Sequence, residues 1–167
     1  VRIKVLGLRF MNKELILLFD SLRDTRDAAE VIHLGLAFDL NIELTGSFIA
    51  PNNYKVMKIL DSWLPGFKEK PLMAHVKTFP DFFARIKILK SKGWKIIGTS
   101  PNAENNLFSF DLSKGKHVIV FGTEKSGLSE SKLRIMDSVL SVPMKNNTNF
   151  LTIRAVAPIF AFEALRQ

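Results

Sequence analysis

The chain has 167 residues, 47% of them apolar, with no cysteine, a formal net charge of +8 and a pI near 9.8. This length suits one domain with a substantial core, and the lack of cysteine excludes disulfides and thiolate metal sites and fits a cytoplasmic protein. No apolar run approaches the roughly eighteen residues of a membrane span, and Arg2, Lys4 and Arg9 precede no small-residue cleavage site, which speaks against a signal peptide.

Along the chain, residues 15–22 form an apolar run that predicts a strand, followed by a charged turn at 23–27 and a helix over 28–40. Residues 41–47 read as a second strand. Asn52 or Asn53 caps a helix running to Trp63, and Leu64-Pro65-Gly66 breaks it. Residues 72–78 predict a third strand, Pro80 opens a helix to Ser91, and Gly93 marks its stop. Strands follow at 94–99 and 118–121, with 109–116 as a short polar connection. Strands alternating with helices of ten or more residues predict an α/β fold with a mostly parallel sheet and flanking helices. No linker or repeat divides residues 1–167, and residues 1–13 read as an extra strand or a lid.

The basic charge gives a field that attracts polyanions, so RNA or another nucleic acid is the partner charge favours; the plainer reading is that it maintains solubility. Lys87, Lys90, Lys92 and Lys95 gather at one helix end, where they also complement the helix dipole.

The most informative stretch is His117-Val118-Ile119-Val120-Phe121-Gly122-Thr123-Glu124-Lys125-Ser126-Gly127-Leu128-Ser129, an apolar strand running into a loop framed by two glycines. A nucleotide phosphate loop needs lysine after its second glycine, and Leu128 stands there instead. Further on come Val142-Pro143-Met144, then Phe150-Leu151-Thr152-Ile153-Arg154-Ala155-Val156-Ala157, then a helix through Phe162-Glu163-Ala164. These two ordered motifs and the terminal helix resemble the SpoU/TrmH branch of the SPOUT RNA methyltransferases, over about residues 14–167.

The resemblance implies a SPOUT fold with a C-terminal deep trefoil knot, S-adenosylmethionine as cofactor, and methyl transfer to a ribose 2′-hydroxyl of tRNA or rRNA. It implies that Thr99, Gly122, Glu124, Gly127, Val142, Met144, Leu151 and Thr152 hold the cofactor, with Gly122 leaving space for the ligand. It also implies a homodimer formed through the first and last helices, which the eight consecutive apolar residues at 155–162 would serve. The alternative is a catalytically inactive SPOUT-fold RNA-binding protein that retains cofactor binding.

That alternative arises because the chain departs from the family pattern. Asp27 stands at the first signature's asparagine and His33 at its arginine, while Phe150, Thr152 and Arg154 replace serine, asparagine and serine in the third. His33 is either a general base or a helix residue without chemistry. Arg23, Arg26 and Arg154 either restore the missing cation, or bind RNA phosphate or nothing. The expected catalytic set is Arg26, Asp27, His33 and Glu124, with Arg26 in the loop facing the cofactor. His33, His75 and His117 lack ligand spacing, so no metal is expected.

Overall fold

The computed structural model describes residues 14–66, 73–145 and 151–167. The expected lid or strand at 1–13, Leu72, residues 146–149 and Phe150 lie outside the described residues, while residues 73–75, expected as strand, are a helical turn and the strand begins at Val76.

Strand β1 (Leu15–Asp20) is buried along its whole length, the pattern of a central parallel strand covered on both faces. Helix α1 (Thr25–Phe38) starts three residues before the expected Ala28, because the Asp24 carboxylate accepts from the backbone N–H of Arg26 and Asp27 at 2.8 and 3.0 Å. Arg26 therefore sits in the first helical turn rather than in a loop. Strand β2 (Asn41–Thr45) leads to α2 (Tyr54–Trp63), capped by Asn53. Strand β3 (Val76–Phe79), α3 (Phe82–Ser91) and β4 (Trp94–Thr99) follow, with Asp81 capping α3 through Ala84 N–H.

Two strands were not anticipated: β5 (Asn105–Asn106) and β7 (Ser138–Ser141) flank β6 (Lys116–Phe121) and the one-turn α4 (Glu130–Leu133) in the chain. Both are too short to show an alternating pattern. The final helix, α5, spans Ile153–Arg166. Among the described residues the sheet order is β3-β2-β1-β6-β4-β7-β5, with every neighbouring pair parallel.

Helix α5 is fastened to the sheet by aromatic packing. Phe19 of β1 stacks on Phe121 of β6 with ring centroids 4.9 Å apart, and Phe160 of α5 meets Phe121 edge-on at 5.7 Å. All three rings are fully buried. The segment at 109–116 is more than a polar connection, since Leu112 is buried and its N–H donates to Gln167 Oε1 at 2.7 Å. Gln167 Nε2 donates in turn to the Phe110 carbonyl. The far end of α5 is thus pinned to that loop.

Candidate active site

Parallel α/β sheets bind ligands beyond the carboxyl ends of their strands. Here the loops leaving β4, β6 and β7 enclose a cavity of about 560 Å³ at that edge. Thr99, Gly122, Glu124, Gly127, Val142, Met144 and Leu151 all line it, as expected from sequence. Thr152 does not; it is the exposed N-cap residue of α5, its carbonyl accepting from Ala155 and Val156 N–H.

The wall is apolar deep inside, where Leu140, Val156 and Phe160 meet, and polar at the loops, with Ser100, Asn102, Glu124 and Lys125. Volumes of about 300–1,000 Å³ with this mixture suit a cofactor-sized organic ligand. Thr99 Oγ1 donates to the Val120 carbonyl at 3.0 Å, so this hydroxyl braces β4 against β6 as it faces the cavity.

The turn at 122–127 is built by its own backbone. Thr123 and Gly127 exchange both N–H···O bonds, at 3.2 and 2.8 Å, and Gly127 adopts φ +64°, which glycine tolerates without strain. Thr123 Oγ1 accepts from Ser126 N–H at 3.2 Å and is hydrogen-bonded to Ser126 Oγ at 2.8 Å, so the threonine holds the turn closed. Gly122, which lines the cavity, also serves the turn. A Cβ there would lie 2.2 Å from Gly127 C and 2.3 Å from Leu128 N, so the glycine is required by the folded turn itself, before any ligand arrives.

The expected catalytic residues divide between two places. Glu124 is exposed in the cavity wall. Asp27, Arg26 and His33 do not line the cavity. His33 lies on the other side of the α5 start, in a smaller groove of about 200 Å³ between α1 and α5, together with Glu30, Arg154 and Pro158. Its ring is tilted against Trp63 at 6.0 Å. Arg26 is exposed on the first turn of α1.

Asp27 is buried, and Arg154 Nε comes within 2.8 Å of its Oδ1. The contact is an ion pair rather than an aligned hydrogen bond, and Oδ1 has no hydrogen-bond partner. Burial, then the negative charges of Glu124 and Asp24, push the Asp27 pKa up to about 6 despite Arg154, which pulls it down. Sequence reasoning named both residues without pairing them, because they stand 127 positions apart and only the packing of α5 against α1 joins them.

The lysine cluster lies elsewhere. Lys92 and Lys95 flank the start of β4, at the amino edge of the sheet, opposite the cavity. Lys90 Nζ is engaged by Asp137 at 2.7 Å. Among the described residues, no three His, Asp or Glu side chains group as a metal site, and no helix is long and apolar enough to cross a membrane.

This sheet has the fold of SpoU-type methyltransferases of known structure. The SpoU methyltransferase AviRb from Streptomyces viridochromogenes, in complex with AdoMet, superposes with a TM-score of 0.79 at 18% identity, over 94% of this chain and 62% of that one. A protein described in terms of 2-OH methylation of C/U34 on tRNA gives 0.78 at 21% identity, over 92% and 89%. The chain belongs to the SpoU rRNA Methylase family, which matches residues 15–162. Its relatives include the tRNA (guanosine(18)-2′-O)-methyltransferase of Thermus thermophilus, 29% identical over 109 residues, covering 62% of this chain and 56% of the relative. They also include the 23S rRNA (guanosine-2′-O-)-methyltransferase RlmB of Shewanella oneidensis, 35% identical over 79 residues, 47% of this chain and 32% of the relative. The chain spans about half or less of the length of these curated relatives.

Proposed function

We propose that the protein is an S-adenosylmethionine-dependent RNA methyltransferase acting on a ribose 2′-hydroxyl of tRNA or rRNA, in the cytoplasm and as a homodimer. One observation carries this reading: seven of the eight residues expected to hold the cofactor line one cavity formed by the loops leaving β4, β6 and β7. The AdoMet-bound AviRb structure, alike in fold, and the names of the curated relatives support it.

The bound cofactor would supply an electrophilic methyl on a sulfonium, leaving a thioether when the methyl moves to O2′. The protein's part is to hold the hydroxyl in line and accept its proton. Glu124 and the loop backbone would orient the cofactor. Arg26, exposed on the first turn of α1, would contact RNA phosphate, and His33 would take the O2′ proton from the groove beside Arg154. The dimer reading is supported by Phe162, which remains 55% exposed on α5.

Calorimetric titration with S-adenosylmethionine tests the cofactor assignment. Binding at one site per chain is expected, and no heat at millimolar cofactor would overturn it. One observation favours the second reading, a non-catalytic RNA-binding protein retaining cofactor binding: Arg26 and His33, the residues at or beside the altered first signature, do not line the cavity.

A further inference from the structure

Arg154 occupies a position unlike any other basic residue near the site. It is the second residue of α5, and its neighbours Leu151, Ile153 and Val156 line the large cavity while Arg154 itself lines the groove with Glu30 and His33. Its side chain is 41% exposed. Only Nε is committed, to Asp27; among the described residues no acceptor takes the terminal guanidinium nitrogens. A guanidinium held at Nε by a carboxylate keeps a planar pair of donors for a second acceptor, which a lysine ammonium cannot reproduce.

Asp27 is placed to hold rather than to react. Its side chain is 3% exposed beneath Arg154, so a ribose hydroxyl cannot reach it while Arg154 is in place. Burying a carboxylate costs stability, and the Arg154 guanidinium is the cation that offsets it.

Resting on the function proposed above, we propose that Arg154, anchored through Nε by the buried Asp27 carboxylate, is the cation that engages the RNA ribose-phosphate between the cavity and the groove, with Asp27 as its positioning residue. His33 stands where the resemblance to the family implies an arginine, and this guanidinium comes instead from α5. The charged groups that face Asp27 are Glu124 from the cavity loop, Asp24 and Glu30 from the α1 region, and Arg154 from α5. Three of these four are acidic, so ionised Asp27 is held by Arg154 alone, and the anchor lasts only while Asp27 is charged.

The test is binding of fluorescently labelled tRNA and rRNA fragments to the full chain at pH 8 and pH 5, with calorimetry of S-adenosylmethionine alongside. Arg154→Ala and Arg154→Lys are each expected to weaken RNA binding about tenfold at pH 8 with cofactor affinity unchanged, the lysine failing because it lacks the forked donors. Asp27→Asn is expected to weaken binding similarly at pH 8 but to match the parent at pH 5, where the parent's own Asp27 is protonated. RNA affinity unchanged in Arg154→Ala, or full rescue by lysine, overturns the inference while the proposed function stands. So does a defect in Asp27→Asn that is equal at both pH values, the mark of a merely structural role. A parent that binds cofactor but neither RNA overturns both.

Discussion

Arg154 Nε lies 2.8 Å from Oδ1 of Asp27, joining the first turn of the last helix to the first turn of the first. Arg154 lines the His33 groove, and Ile153 beside it lines both that groove and the cofactor-sized cavity. The energetics of the pair make a prediction that does not depend on catalysis.

The folded state raises the Asp27 pKa from its ordinary 3.8 to about 6, so folding favours the protonated acid. Its contribution to stability is therefore fully present below pH 4 and lost as pH rises through 6, a difference of up to about 3 kcal/mol. An asparagine amide at this position cannot ionise. Asp27→Asn should be more stable than the parent in urea at pH 8, by on the order of 1–3 kcal/mol, and equal to it near pH 4. A variant less stable than the parent at pH 8 would show that the Arg154 pairing outweighs burial.

Gly122→Ala separates the two explanations for this glycine. Because the added Cβ would strike the backbone of Gly127 and Leu128, the protein should lose stability without any ligand present, by more than about 2 kcal/mol, and its affinity for S-adenosylmethionine should fall with it. Thermal melts of the ligand-free variant decide. A parent-like melting temperature with binding lost would mean that the side chain meets only the ligand.

The alternation of strands and helices, the glycine-framed loop and the Val-Pro-Met segment are legible because each leaves a local trace: an apolar run, a capping residue, or a distinctive residue order. The capping role of Asp24 is masked in the sequence, because it stands in a run of alternating charges that reads as a plain turn. Strands β5 and β7 were not legible, since two or four residues carry no period and their pairing depends on neighbours far along the chain. For the same reason the Asp27 and Arg154 pair was invisible, although each residue stood out as a departure from the family pattern.

Arg26 and His33 should fail differently if the proposed roles hold. Arg26→Ala should raise KM for RNA, with the parent's advantage shrinking as salt rises, because an exposed phosphate contact is screened. His33→Ala should leave RNA binding intact and lower turnover roughly a hundredfold, the scale of a positioned base. Unchanged turnover in His33→Ala would leave that imidazole as a packing partner of Trp63.

The dimer makes a separate claim. Phe162 is more than half exposed at the end of an apolar stretch of α5. Light scattering at micromolar concentration should give twice the 18.9 kDa chain mass, and Phe162→Asp should shift the species toward the monomer. A monomer in the parent contradicts the proposed assembly.

The central claim is methyl transfer to a ribose hydroxyl, and chemistry offers a direct test. A methylated 2′-oxygen cannot attack the neighbouring phosphate, so the linkage survives alkali that cleaves every other position. Pooled tRNA and rRNA incubated with the protein and S-adenosylmethionine labelled in its methyl group should, after alkaline hydrolysis, carry the label in resistant dinucleotides. Label confined to mononucleotides would place the methyl on a base, and no transfer to either RNA by a protein that binds the cofactor would leave the non-catalytic reading in its place.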